Sequence, residues 1–223
     1  MKKLMFYFAM AACFLVFPLC LQAYTIDDPS NDRIGNLPFE TYGIDVSNPY
    51  GPGNMTITLY SNYPMGGYTV GVWNTKPADI FIDENGDGTY EKAIPLVTHG
   101  VFTAGHVYGV TSYYTSDDIA ASVGASGYIF NHNKAVLIKT GNEIYSSGTV
   151  TWTDISGSTP DFAIISVPGF YETTPFNIFW ATATCANDFV GGRVPVPEPS
   201  TLLLLGAGLV GLGLLGRKKF KAK

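Results

Sequence analysis

Hydrophobic and polar residues alternate along the middle of this chain in short runs that are typical of β-strands. Residues 55–60, MTITLY, place an apolar side chain at every second position, so one face of the strand would be buried and the other solvated. Gly, Pro, Asn and Asp separate such runs. The pattern predicts strands at 41–47, 55–61, 68–73, 79–83, 90–94, 107–113, 135–139, 149–153, 162–167 and 177–182.

Helical periodicity is confined to residues 117–123, which predicts one short helix. The many short strands separated by turn residues therefore predict an all-β fold. We expect one β-sandwich domain of jelly-roll type at residues 24–192, with about ten antiparallel strands. A chain segment of this length has room for a sizeable core.

The two ends of the chain have the composition of targeting segments. Lys2 and Lys3 precede an apolar run at residues 4–19, which predicts a signal peptide at 1–23. After a proline-rich linker at 193–200, residues 201–216 carry no charge. As a helix they would measure about 24 Å, against a hydrocarbon core of about 30 Å, so we expect a short transmembrane helix.

Charge is distributed unevenly between the ends and the middle. A basic tail at 217–223 begins with Arg217, Lys218 and Lys219, which predicts a cytoplasmic C-terminus. Without the two ends, 6 of the 13 basic residues and all 18 acidic residues remain, a net charge of 6 minus 18, or −12. So acidic a domain is not expected to bind nucleic acid, because nucleic acid requires a concentrated positive surface.

One cysteine remains after the signal peptide. Cys13 and Cys20 lie inside residues 1–23, which leaves Cys185. An intrachain disulfide is then impossible. We expect a buried thiol without a partner, near Trp180; the alternative is a thiol available for intermolecular pairing.

Oxygen-bearing residues at 83–91 are spaced as in a calcium-binding loop. The first nine positions of an EF-hand-like loop are matched, with glycine at position 6. The departure is at position 12, where Ile94 stands in place of the bidentate glutamate, so a site would be weaker or completed by a residue such as Asp79. A hairpin turn is the alternative, because turns use the same residue types. The candidate ligands are Asp83, Asn85, Asp87, Thr89 and Glu91.

No set of residues in the sequence forms a catalytic constellation. The segment around His106 is followed by no nucleophilic serine motif, and the three histidines lack metal-ligand spacing. Tyrosines are numerous, and exposed aromatic rings stack on sugars, although tyrosine in strands is also used for packing. The tyrosines considered are Tyr60, Tyr63, Tyr68, Tyr108, Tyr113, Tyr114 and Tyr128.

The C-terminal segment resembles the PEP-CTERM sorting signal of Gram-negative bacteria. Pro197, Glu198 and Pro199 come first, then the apolar segment at 201–216, then the basic tail. The resemblance implies processing by an exosortase, a membrane-embedded enzyme of cysteine-transpeptidase type, near the tripeptide. It implies export through the inner membrane, transient anchoring there, and a final place at the cell surface or in the extracellular matrix.

A second resemblance, to exosortase-dependent surface proteins without an established activity, covers most of the exported domain. It is carried by residues 39–41, 78–88, 106–108, 115–118 and 180–188, and it transfers no catalytic residue. We therefore expect a non-catalytic protein with a structural or interaction role at the cell envelope. The alternative is a calcium-dependent module that binds carbohydrate, as exopolysaccharide or envelope glycans.

Overall fold

The computed structural model describes residues 23–29, 31–50, 53–153 and 161–195, together with Gly208. The predicted signal peptide, transmembrane helix, sorting tripeptide and basic tail therefore lie outside the described residues. The described strands are β1 (Ala23–Asp27), β2 (Thr41–Ser47), β3 (Asn54–Ser61), β4 (Tyr68–Val70), β5 (Trp73–Thr75), β6 (Ile80–Asp83), β7 (Lys92–Ile94), β8 (Val107–Thr115), β9 (Ala135–Tyr145), β10 (Thr149–Thr153), β11 (Asp161–Pro168), β12 (Phe176–Ala181) and β13 (Phe189–Val194). A 3₁₀ helix covers Leu37–Phe39, and helix α1 covers Ser116–Ser122.

The strands form two larger antiparallel sheets and one small hairpin. The five-stranded sheet has the order β1-β2-β3-β11-β10, and the six-stranded sheet has the order β13-β12-β6-β7-β8-β9. Among the described strands, β4 pairs only with β5. The chain passes from one large sheet to the other after β3, β9 and β11. The predominantly β, antiparallel fold predicted from the sequence is confirmed.

The largest hydrophobic cluster contains residues from both large sheets. Ile44 and Ile57 come from the five-stranded sheet, and Ile82 and Ile178 come from the six-stranded sheet. Trp180 is fully buried in the same cluster and donates its indole N–H to the backbone oxygen of Ala78, at 3.1 Å. Each such large apolar side chain stabilises the fold by about 1.5–3 kcal/mol.

The number of strands differs from the prediction, with thirteen described strands rather than about ten. Strands β1 and β13 were missed, and the segment predicted as one strand at 68–73 is the hairpin of β4 and β5. The chain reverses there because Gly71 has a φ of 57°, a conformation that favours glycine. The predicted strands at 41–47 and 149–153 have the bounds of β2 and β10.

Helix α1 lies within one residue of the predicted helix, and its start is fixed by a capping box. The Thr115 hydroxyl accepts from the amide of Asp118, and the Asp118 carboxylate accepts from the amide of Thr115. Hydrogen bonds from the Thr115 amide and hydroxyl hold the pKa of Asp118 below its usual value. These reciprocal bonds satisfy two backbone N–H groups at the helix start, those of Thr115 and Asp118.

Candidate functional site

The predicted calcium ligands lie in one loop, residues 84–91 with Asp83 at its start, which connects β6 to β7. The amide of Glu91 donates to the backbone oxygen of Ile82 at 3.1 Å and closes the loop. Gly86 and Gly88 have φ angles of 78° and 87°, which side chains rarely adopt. The connection is longer than the two-residue turn of a tight hairpin.

Three carboxylates converge within this loop. Oxygens of Asp83, Asp87 and Glu91 all lie within 4.8 Å of one another. Hard cations such as Ca²⁺ take several oxygen ligands of this kind. The loop thus brings together the three predicted ligands that carry charge.

Asp83 is the most buried of these carboxylates. It is 2% exposed, and its oxygens accept the amides of Gly86 at 2.6 Å and Gly88 at 3.0 Å and the side-chain amide of Asn177 at 3.2 Å. Burial raises the pKa of Asp83, but these hydrogen bonds outweigh it and hold the pKa below the ordinary value. The group is therefore an anion at neutral pH, as a metal ligand must be.

Hydrogen bonds inside the loop hold the other predicted ligands in place. Asn85 accepts the amide of Asp87 at 2.8 Å, and Asp87 accepts the amide of Thr89 at 2.7 Å. The side-chain amide of Asn85 donates to Glu91 at 3.0 Å. Each carboxylate oxygen has two lone pairs, so these bonds leave acceptor capacity for a cation.

Two residues considered for completing the site contribute nothing to it. Ile94, at position 12, is fully buried in the main core. Asp79 is also fully buried, but its carboxylate accepts the amide of Ile138 at 2.7 Å and contacts Nε2 of His99 at 2.9 Å. The expectation that Asp79 completes the calcium loop is wrong, because it lies at the opposite end of β6.

Each histidine is paired with a carboxylate, which sequence spacing did not reveal. His99 contacts Asp79, His106 contacts Glu143 at 2.7 Å, and His132 contacts Asp117 at 2.6 Å. The partners are 15 to 37 residues apart in sequence. Burial, which His99 partly offsets, raises the pKa of Asp79.

A second cluster of acidic residues brings together the segment after β1 and the residue before β13. Oxygens of Asp28, Asp32 and Asp188 lie within 4.8 Å of one another. Burial is the largest cause that raises the pKa of Asp28 and of Asp188 to about 7. Nearby carboxylates raise both pKa values further, and at Asp188 hydrogen bonds from the amides of Thr41 and Phe189 offset part of the rise. Sequence reasoning missed this group because its members are far apart along the chain.

The tyrosines divide into core residues and surface residues. Tyr63 and Tyr108 are buried, at 0% and 4% exposure, so the expectation that they present open rings to a sugar is wrong. Tyr113 is half-buried, and Tyr114 and Tyr128 are exposed. Of the tyrosines considered, Tyr113 is the one that lines a cleft beside the loop at residues 83–91.

Cys185 is buried, as predicted, with 3% exposure, and it forms no disulfide within the described part of the chain. It packs with Phe39, Tyr63 and Trp73 rather than beside Trp180. Burial raises the pKa of its thiol to about 12. The thiol is therefore protonated at physiological pH and unreactive.

A comparison with protein families decides the meaning of the C-terminal segment. Residues 195–219 match the family model of the PEP-CTERM protein-sorting motif. The resemblance stated from the sequence is thereby confirmed for this segment. No curated protein and no solved structure matches the chain.

The PEP-CTERM motif implies exosortase-dependent processing at the membrane, followed by a place at the cell envelope. Among the described residues, no helix has the length and apolar character needed to cross a membrane.

Proposed function

We propose that this chain is an exported, non-catalytic protein of the cell surface or extracellular matrix, released from a transient inner-membrane anchor by an exosortase. The PEP-CTERM motif at residues 195–219 is the observation that carries the proposal. The β-domain then acts as a structural or interaction module outside the cell, with its two large sheets packed as a sandwich. The shared cluster of Ile44, Ile57, Ile82, Ile178 and Trp180 supports that packing.

Intact-mass measurement of the protein from its native host tests the sorting. We expect the mature protein to lack residues 1–23 and the residues beyond the neighbourhood of Pro199. The signal peptide and the sorting signal are both removed if the chain follows this route. Mature surface material that still carries Lys223 would contradict the proposal.

The same proposal includes a calcium ion held by the loop at 83–91. Asp83, Asp87 and Glu91 would supply carboxylate oxygens, Asn85 its side-chain oxygen and Thr89 its backbone oxygen. The convergence of the three carboxylates supports this assignment. Without the bidentate glutamate, the affinity is expected in the extracellular range, with a Kd of about 10⁻⁴ to 10⁻³ M.

Calcium is therefore expected to stabilise the domain modestly. At free calcium tenfold above Kd, binding to the folded state adds about 1.4 kcal/mol, which raises Tm by about 3–6 °C in a domain of this size. Thermal unfolding of the full-length protein with calcium and with chelator measures the shift. The double variant Asp87→Asn with Glu91→Gln keeps the hydrogen-bond acceptors and should abolish it.

The exposed Asp27 provides a matched control. Asp27→Asn removes one carboxylate outside the loop and should leave the calcium shift unchanged. The calcium assignment fails if the wild type shows no shift, or if the shift persists in the double variant.

A calcium-dependent carbohydrate-binding module is the second candidate function. The aromatic side chains of Tyr90, Tyr113 and Phe179 line a cleft that also contains Asp83 of the loop. Half-buried aromatic rings beside an oxygen-rich loop suit a sugar, which offers apolar ring faces and hydroxyl groups.

A further inference from the structure

The cleft beside the calcium loop is built on the outer face of the six-stranded sheet. It has a volume of about 440 Å³. Strands β6, β12 and β13 supply Asp83, Asn177, Phe179 and Arg193, and their neighbours Ile82 and Ile178 point into the core. Because side chains alternate between the faces of a strand, the cleft residues share the opposite face. We refer to this cavity as the outer cleft.

Three polar side chains form a row across the outer cleft. Asn177 pairs in register with Arg193 of β13 on one side and with Asp83 of β6 on the other. Residues that are directly opposite on neighbouring strands have Cβ atoms about 5 Å apart. A ligand lying across the row would therefore contact the Arg193 guanidinium, then the Asn177 side-chain amide, then Asp83 of the loop at 83–91.

Aromatic rings form the floor of the outer cleft. The rings of Tyr90 and Phe179 are stacked at 5.8 Å, and the ring of Tyr113 stands edge-on to Tyr90 at 5.6 Å. Beneath them Phe81 is fully buried, 5.1 Å from Tyr90. Burial, then the nearby Tyr113 and Asp83, raise the pKa of Tyr90 to about 12, so its hydroxyl stays protonated and can donate a hydrogen bond.

The charges at the outer cleft differ from those of the domain as a whole. Arg33 is paired with Glu40, and Lys92 is paired with Glu84 and Glu172. Lys134 and Arg193, like Lys76 and Lys139, form no ion pair with a carboxylate among the described residues.

Both cations line the outer cleft. Nζ of Lys134 lies 3.9 Å from the centre of the Phe189 ring, which also lines it. Asp83 is the only acidic side chain among the described residues of the lining. Oxygens of Asp87 and Glu91 lie within 4.8 Å of an oxygen of Asp83, inside the screening length of about 8 Å in physiological salt. A calcium ion that neutralises the loop would therefore let the two cations set the local field of the cleft.

We propose that the outer cleft binds an acidic sugar of a polysaccharide, a uronate, with its carboxylate at Arg193 and Lys134. The guanidinium fork of Arg193 matches a carboxylate in two hydrogen bonds. The apolar face of the sugar ring packs on Phe179 and Tyr113, and its hydroxyl groups face the side-chain amide of Asn177. This inference rests on the carbohydrate-binding candidate above and names its ligand class.

The calcium loop contributes to the same site through Asp83. The Asp83 carboxylate accepts a hydrogen bond from the side-chain amide of Asn177. A calcium ion bound by Asp83 would therefore hold one end of the row of Asp83, Asn177 and Arg193 in place. Removal of calcium should then weaken sugar binding without abolishing it.

Isothermal titration of the full-length protein with trigalacturonate, at pH 7 with calcium, tests the proposal. The carboxyl-reduced trisaccharide is the matched neutral ligand. We expect it to bind at least tenfold more weakly, because it leaves both cations without a carboxylate. Arg193→Gln and Lys134→Gln should each weaken trigalacturonate binding at least tenfold and leave the neutral trisaccharide unaffected.

Lys139→Gln is the control variant. Lys139 is exposed and packs over Tyr114, and neither residue lines the outer cleft, so binding should not change. Equal binding of the two trisaccharides would overturn the acidic ligand class and keep the carbohydrate-binding candidate. If Arg193→Gln and Lys134→Gln both still bind trigalacturonate more tightly than the neutral trisaccharide, the outer cleft is not the binding site.

Failure of both trisaccharides to bind would overturn the ligand class and the carbohydrate-binding candidate together. The sorting proposal would stand in that case, because the intact mass tests it separately.

Discussion

The full-length chain is expected to remain in the membrane fraction of its native host when Pro197, Glu198 and Pro199 are all replaced by alanine. In the wild type, the PEP-CTERM motif implies processing by an exosortase, and the proposed function adds release from the membrane. Proline fixes φ and carries no backbone N–H, and each proline also disfavours helical conformation in the residue before it. The triple variant removes these restrictions and the carboxylate that the processing enzyme would meet.

The uncleaved chain should stay in the membrane because its apolar segment favours insertion. Residues 201–216 include eight leucines, which together contribute about −2 to −5 kcal/mol on the scale for insertion at the helix centre. Arg217 and the four lysines after it oppose passage of the C-terminus across the membrane. We therefore expect the triple variant to yield no released protein, rather than a modestly smaller amount of it.

Pro195→Ala provides the matched control for this experiment. It removes a proline that lies two residues before the tripeptide and should leave processing intact. Fractionation followed by mass spectrometry distinguishes the forms. Release of the triple variant at the wild-type level would show that the tripeptide does not direct processing.

The elements predicted correctly from the sequence are those whose local pattern is unambiguous. Strand β10 consists of β-branched and aromatic residues, and strand β2 contains four of them on either side of Gly43 and Asp45; both strands have the predicted bounds. Strand β9 was predicted to end at 139 but runs to Tyr145, through a glycine that ordinarily weakens a strand. A Cβ at Gly141 would lie 2.6 Å from the backbone oxygen of Gly109, so close pairing with β8 requires glycine there.

A calcium-binding loop could be proposed from the sequence because its candidate ligands all lie within residues 83–91. The outer cleft could not, because Asp83 and Arg193 are brought together only by the order β6-β12-β13, which no local pattern specifies. The same reason applies to Asp28 and Asp188. Their proximity depends on where β1 and the segment before β13 lie in the fold, and local composition shows only isolated aspartates.

The acidic group of Asp28, Asp32 and Asp188 predicts the pH dependence of stability. The pKa values of Asp28 and Asp188 are raised to about 7 in the folded protein, against about 3.9 in an unfolded chain. Between these values the folded state holds protons that the unfolded state releases, so stability falls as pH rises from about 4 to 7. Above about pH 7 both states are ionised and the loss is complete.

Other carboxylates do not offset this loss in the same window. Hydrogen bonds hold the pKa values of Asp83, Asp117 and Asp118 below their usual value. Their stabilisation is present above about pH 4 and is lost only in more acidic solution. Greatest stability is therefore expected near pH 4, and pH 5 lies close to that maximum.

The full-length protein should accordingly unfold at a lower temperature at pH 8 than at pH 5, with chelator present so that no divalent cation neutralises the aspartates. Allowing for the partial exposure of Asp28, the change is about 2 kcal/mol, or about 4–8 °C in Tm. Asp28→Asn should raise Tm at pH 8 and flatten the pH dependence, because Oδ2 of Asp28 is buried and accepts no hydrogen bond from the described residues. Asp27→Asn removes the same charge from an exposed neighbour and should leave the difference between pH 5 and pH 8 intact. A Tm that is the same at both pH values, or that falls at pH 8 in Asp28→Asn, would mean that the aspartates do not repel one another in the folded protein.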